Sequence, residues 1–188
     1  MQLLIYGSKE FSETVMELAE DCGYRVAGLI DDFSQADNVL GTLDRVKQTH
    51  PPSNFQIAIA IGYGNLAARW QVWERVTSAG YIAPPLVHPR AYVAKSATLG
   101  AGAMVMAGAV VDVRASLGNI AVIWPGACIN HDATVGENCF VSPNATLCGY
   151  VGLGAHSFVG AGAAIVDHCV VPPRTRIKML ERYTGAGA

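Results

Sequence analysis

The sequence predicts two folds in tandem: a small α/β domain with a parallel sheet over residues 1–88, then a parallel β-helix of hexapeptide repeats over 89–188. Two observations predict the pair. Up to about residue 88, apolar strand-like runs alternate with amphipathic helical ones. From Val93 to Ile177 every sixth residue is aliphatic, and a short fixed period of this kind marks a solenoid.

In the first half, "LLIYG" (3–7) reads as a strand and "KEFSETVMELAEDCG" (9–23) as a helix. Phe11, Val15, Met16, Leu18 and Ala19 lie near one face of that helix, and Gly23 closes it. "RVAGLIDD" (25–32) reads as a buried strand ending in two acids. A short helix follows over 42–49, then a strand "FQIAIAIG" (55–62) and a long helix "NLAARWQVWERVTSAG" (65–80). Right-handed crossovers between parallel strands place a ligand crevice at the carboxyl ends of the strands. Gly7, Ser8, Asp31, Asp32 and Gly62 all fall there and are the candidate substrate-binding residues. The turn "GSKEFS" (7–12) has only one of the glycines expected of a full dinucleotide loop, so the sheet is Rossmann-like rather than a complete dinucleotide site. A helix N-terminus still offers free N–H groups to a diphosphate, and an acid after the second strand can accept from a ribose or a base. The competing reading is a domain that only packs and orients its neighbour.

In the second half, the residue two positions before most aliphatic repeats is small, as at Ala97, Ala103, Ala109, Ala115 and Ala121. Branched residues stacked in ladders, with small residues at tight corners, suit a triangular prism in which three hexapeptides make one coil of about eighteen residues. The array then amounts to about five coils.

The net charge of −2 and pI near 6.2 give no reason to expect nucleic acid or an anionic membrane as partner, since both call for a basic face. No apolar run reaches a membrane span, and the reading is a soluble cytoplasmic protein. Five cysteines without a C-x-x-C pair read as reduced thiols rather than as disulfides or a zinc site.

Within the array, "CINHDATVG" (128–136) stands out, because His131 and Asp132 are neighbours in a stretch otherwise small and aliphatic. Their place in the hexapeptide directs them outward, at or near a corner. An exposed His is ordinarily solvated decoration, but the array from 91 to 170 holds few ionisable groups. One coil further on stands Gly149, a backbone that another group can approach closely. A neutral imidazole can take the proton of an attacking nucleophile, and an adjacent carboxylate can fix its tautomer. His131 is the candidate base and Asp132 its orienting partner.

With these residues in view, the chain resembles the bacterial sugar O-acyltransferases of the sialic-acid O-acetyltransferase type. It is also similar to their relatives, the N-acetyltransferases of nucleotide-linked 4-amino-sugars. "LLIYG", "LIDD", "AIGYGN", "LVHPRAYV" and "NHDATVGENCFVSPNATLCGYVGLGAHSFVGAGA" carry the resemblance over nearly the whole chain. It implies a left-handed β-helix, an acetyl-CoA-dependent transfer without metal, a homotrimer with active sites between subunits, and the Gly149 N–H as oxyanion donor. It also places Phe140, Gly149, Ala161, Arg174 and Arg176 at the coenzyme.

Two departures from the family pattern concern that coenzyme. Phe140 stands where many relatives have a second His, and "VVPPRTRIKMLERYTGAGA" replaces the usual last coils. Arg174, Arg176 and Lys178 suit the 3′-phosphate of coenzyme A, against the ordinary reading of a solvated basic face.

The acceptor expected is the amino group of a nucleotide-linked amino-sugar. O-acetylation of sialic acid or another sugar hydroxyl, and a non-catalytic sugar-nucleotide-binding homologue, remain open. Two further readings are weaker. Cys128 or Cys148 would serve as an acyl-enzyme nucleophile, but a small Cys is a common filler in tight corners. A zinc hydro-lyase on the same prism needs three converging imidazoles, and His156 and His168 do not fall one coil from His131.

Overall fold

A computed structural model describes residues 2–34 and 36–185. The chain divides into two compact units, Met1–Leu86 and Val87–Ala188.

The first unit holds β1 (Gln2–Tyr6), α1 (Glu10–Asp21), β2 (Val26–Ile30), β3 (Val39–Gly41), α2 (Leu43–Thr49), β4 (Phe55–Ile59) and α3 (Leu66–Ser78). The strands form one parallel sheet in the order β3-β2-β1-β4. Leu3, Leu4 and Ile5 are fully buried, as befits a central parallel strand covered on both faces. On α1, Val15, Leu18 and Ala19 recur at helical spacing and are buried. Strand β3 is an addition to the sequence reading. Three residues are too few for a legible alternation.

Because the strand order reverses direction beside β1, the carboxyl ends of β1 and β4 border the crevice where such sheets receive ligands. Gly7 sits at that point with φ +121°, and a β-carbon there would come within 2.6 Å of the Ala60 carbonyl oxygen. Only glycine lets the two strand ends approach so closely.

The second unit is a parallel β-helix of about five turns. Two-residue strands stack into three sheets of five, six and six strands, each strand pairing in parallel with the one eighteen residues on, as Ile129 does with Leu147. The repeat positions Val105, Val111, Ile123, Ile129, Val141, Leu147, Val159 and Ile165 are fully buried and fill the interior. Ala109, Ala115, Ala121 and Ala127 are fully buried too, at the tight corners where space is short; Cys139 and Val151 fill the equivalent position in other turns. Many corners need a left-handed residue, and non-glycine residues adopt it at Arg114, Asp132, Asn138, Tyr150, His168 and elsewhere, with φ near 60°. Each such residue is strained by roughly 1 kcal/mol or more, which the continuous ladders on either side offset. The C-terminal segment stays in the solenoid, with strands at Val170–Val171, Arg176–Ile177 and Arg182–Tyr183.

Candidate active site

His131 and Asp132 occupy a corner of the prism, between the strands Cys128–Ile129 and Thr134–Val135. The His131 imidazole is half-exposed, and its Nδ1 lies 2.9 Å from Oδ2 of Asp132. A carboxylate only accepts, so Nδ1 carries the proton in the neutral ring and Nε2 keeps its lone pair. The other face of the arrangement is a salt bridge. Arg114 donates from Nε to Oδ1 and from Nη2 to Oδ2 of Asp132, both at 2.7 Å. Hydrogen bonds from Arg114 and then from His131 hold the Asp132 carboxyl down at about 2.

The successive left-handed residues Arg114, Asp132, Tyr150 and His168 are one coil apart and form a column on this corner. Tyr150 presents its ring edge-to-face to His131 at 5.3 Å and stacks on His168 at 4.7 Å. His131 lies directly against Gly149, where a β-carbon would come within 2.7 Å of the imidazole Cε1. Among the described residues no backbone carbonyl accepts from the Gly149 N–H, whereas the Tyr150 N–H is bonded to the His131 carbonyl at 3.2 Å. Sequence reasoning missed Arg114 and Tyr150. Counting eighteen residues either way from Asp132 would have found both.

Burial, with Asp112 and Cys148 nearby, pushes the Cys128 thiol up, away from the thiolate that a nucleophile requires. Among the described residues no group of three His, Cys, Asp or Glu side chains gathers as a metal site, and no helix is long and apolar enough to cross a membrane.

Of the residues expected at the coenzyme, Gly149 lies at the His131 corner and the others lie elsewhere on the prism. Phe140 is fully buried, in a ladder with Met104, Val122 and Phe158, so its ring has no exposed surface to offer a ligand in the single chain. Arg176 is exposed on the same ladder, with its guanidinium 4.6 Å from the Phe158 ring centroid. Ala161 and Arg174 belong to the two other corners, neither of them the His131 corner.

In the first unit, a cleft of about 680 Å³ is lined by Gly7, Ser8, Asp31 and Gly62, together with Lys9, Phe33, Asn65 and Arg75 among others. Ser8 donates to Asp31 Oδ2 at 2.5 Å, and the N–H groups of Phe33 and Ser34 donate to its Oδ1. Burial alone would raise the Asp31 carboxyl, but these hydrogen bonds hold it below the usual carboxylate range. Asp32 does not line this cleft. Its Oδ2 accepts from Tyr6 at 2.6 Å and from Arg75, and its Oδ1 accepts from the Leu43 N–H at 3.0 Å, at the start of α2. Asp32 ties β1, β2, α2 and α3 together.

The comparisons with known proteins follow the same division. Residues 2–76 match the PglD N-terminal domain, and residues 114–149 match the bacterial transferase hexapeptide (six repeats). No protein of curated function matches the sequence. Among solved structures, the acetyltransferase domain of PglB from Neisseria gonorrhoeae FA1090, in complex with acetyl coenzyme A, is 27% identical. It superposes with a TM-score of 0.87 over 99% of this chain and 93% of that one. PerB from Caulobacter crescentus, in complex with CoA and GDP-perosamine, is 26% identical with a TM-score of 0.88 over 98% and 91%. WeeI from Acinetobacter baumannii AYE, 16% identical with a TM-score of 0.77 over 100% and 94%, shares the fold. Solenoid, corner and matches together define an acyltransferase of the hexapeptide-repeat class. Its first unit is similar over residues 2–76 to the PglD N-terminal domain, and this lies ahead of the hexapeptide repeats.

Proposed function

We propose that the protein transfers the acetyl group of acetyl-CoA to the amino group of a nucleotide-linked amino-sugar, with His131 as general base. The observation that carries this reading is the His131 imidazole itself, tethered through Nδ1 to Asp132 and resting on Gly149. Nε2 takes the proton as the amine attacks the thioester carbonyl. Asp132 holds the tautomer and stabilises the imidazolium that forms. The N–H of Gly149 is the donor assigned to the developing oxyanion. The thioester carbon gains a bond to nitrogen and loses its bond to sulfur, and the thiolate of coenzyme A leaves. The structure of the PglB acetyltransferase domain holds acetyl-CoA and that of PerB holds CoA with GDP-perosamine, which supports this pair of substrates. The cleft bordered by Gly7, Ser8, Asp31 and Gly62 is assigned to the nucleotide.

The active form in this reading is a homotrimer. Ala161, Arg174 and Arg176 lie away from the His131 corner of their own chain. A threefold neighbour would set these surfaces of one copy beside the His131 corner of the next.

The test is release of free thiol from acetyl-CoA in the presence of nucleotide-linked amino-sugars, run beside His131→Ala. Release that depends on the amino-sugar and is lost in the variant is expected. Binding of the sugar nucleotide without any thiol release would favour a non-catalytic binding protein. A monomer mass at micromolar concentration in sedimentation equilibrium would remove the trimer.

A further inference from the structure

Arg114 is given no step in the reaction described above, yet it donates two side-chain hydrogen bonds to Asp132 at this corner. Its fork engages both oxygens of Asp132 at 2.7 Å, and one of those oxygens is shared with His131 Nδ1 at 2.9 Å. The backbone of Asp132 is tied to the same preceding coil, its N–H donating to the Val113 carbonyl at 3.0 Å. The Arg114 N–H is in turn fixed by Ser96 Oγ one coil further back, at 3.1 Å. Both ends of Asp132 are therefore set by the coil that carries Arg114.

We propose that Arg114 is a positioning residue: its guanidinium fixes the plane of the Asp132 carboxylate and balances its charge, so that Asp132 orients His131 without holding it protonated. The inference rests on His131 acting as the base. A carboxylate in contact with an imidazole favours the imidazolium, and an imidazolium accepts no proton. A paired guanidinium removes most of that bias while leaving the hydrogen bond in place, because a bidentate fork still leaves a lone pair for Nδ1–H.

The ionisable groups near the His131 corner are Asp112 and Arg114 on the preceding coil, Cys128 and Asp132 on its own, Cys148 and Tyr150 on the next, and Asp167 and His168 on the one after. Asp132 contacts the ring directly, and Arg114 is the cation paired with it. Tyr150 closes the arrangement. Its ring meets His131 edge-to-face, and its hydroxyl also interacts with Arg114.

Two substitutions separate charge from geometry. Arg114→Gln removes the charge, and the acid limb of the kcat/KM profile is expected to move to higher pH by about half a unit or more. Arg114→Lys keeps the charge and loses the fork, so kcat falls while the acid limb stays in place. The Arg114 side chain is largely exposed, so both variants should fold, which their thermal midpoints check. An equal loss at every pH in both variants would overturn the proposal.

An NMR titration of His131 in the protein without substrate gives a reading independent of catalysis. Its midpoint should rise in Arg114→Gln relative to the unaltered protein, and an unmoved midpoint overturns the inference whatever the kinetics show. A midpoint that rises while the kinetic limb stays put upholds the counter-charge and removes His131 as the base, so the two failures are distinct.

Discussion

The imidazole of His131 rests on the α-carbon of Gly149, so closely that a β-carbon at 149 would lie 2.7 Å from Cε1 and 2.8 Å from Nε2. The ring's place is thus set from below by a residue one coil away and from the side by Asp132. Gly149→Ala should push the ring outward while the solenoid holds, because Gly149 has no left-handed backbone to lose. A misplacement of about 1 Å can cost on the order of 100-fold in rate. Steady-state kinetics should show kcat falling with little change in thermal midpoint. An unchanged kcat would mean that the ring's contact with Gly149 has no part in turnover.

Removing the base altogether is a separate experiment. His131→Ala should lower kcat by about 100- to 10,000-fold, the usual worth of general base catalysis. The side chain is half-exposed, so neither the fold nor acetyl-CoA affinity should follow it down. Asp132→Asn should be milder, since an amide can still meet Nδ1 but no longer receives both arms of Arg114. Near-normal turnover in His131→Ala would assign the proton to another acceptor.

The solenoid was legible because its geometry forces a period: each strand contributes an inward aliphatic residue, so Val93 to Ile177 announce themselves every six residues. The same logic put His131 and Asp132 outside the core. It operates at eighteen residues as well as at six, and at that longer step Arg114 and Tyr150 belong to the site. Other features depend on contacts that no local pattern encodes. Arg75 reaches Asp32 across 43 positions, and nothing near "LIDD" signals that the second acid is already occupied. Phe140 looks like an outward position by its register, yet its ring is fully buried. Strand β3 is three residues long and has no period to read.

The two acids after β2 should separate in their effects. Asp31 lines the cleft and holds Ser8 and the turn at 33–34 in place. Asp31→Ala should therefore weaken sugar-nucleotide binding by about tenfold or more, the worth of one lost charged hydrogen bond, without altering affinity for acetyl-CoA. Asp32→Ala should instead destabilise the first unit by about 2 kcal/mol, because Tyr6 and the start of α2 each lose an acceptor. Calorimetry with each ligand and chemical denaturation of each variant make the comparison. Loss of nucleotide affinity in Asp32→Ala at full stability would reverse the assignment.

The same cluster sets the pH range over which the first unit is stable. The Asp32 carboxyl would be raised by burial alone, but hydrogen bonds from Tyr6, Arg75 and the Leu43 N–H hold it below its ordinary range, and Asp31 is depressed likewise by its own donors. A depressed carboxyl contributes stability that is present above its unfolded value, about 4, and is lost as pH falls through the folded value. The Tyr6 phenol moves the opposite way, pushed up first by burial and then by Asp32. Its contribution is present below the unfolded value, about 10, and is lost as pH rises beyond it. The unit should therefore hold a plateau of stability between about pH 5 and 9 and fall on both sides. Tyr6→Phe should lessen the alkaline fall, leaving the part due to Tyr81, whose phenol burial also pushes up, and, by depriving Asp32 of one donor, make the acid fall begin at higher pH. Urea midpoints measured across the pH range for both proteins test this, and an alkaline limb of unchanged size in Tyr6→Phe would place the titrating group elsewhere.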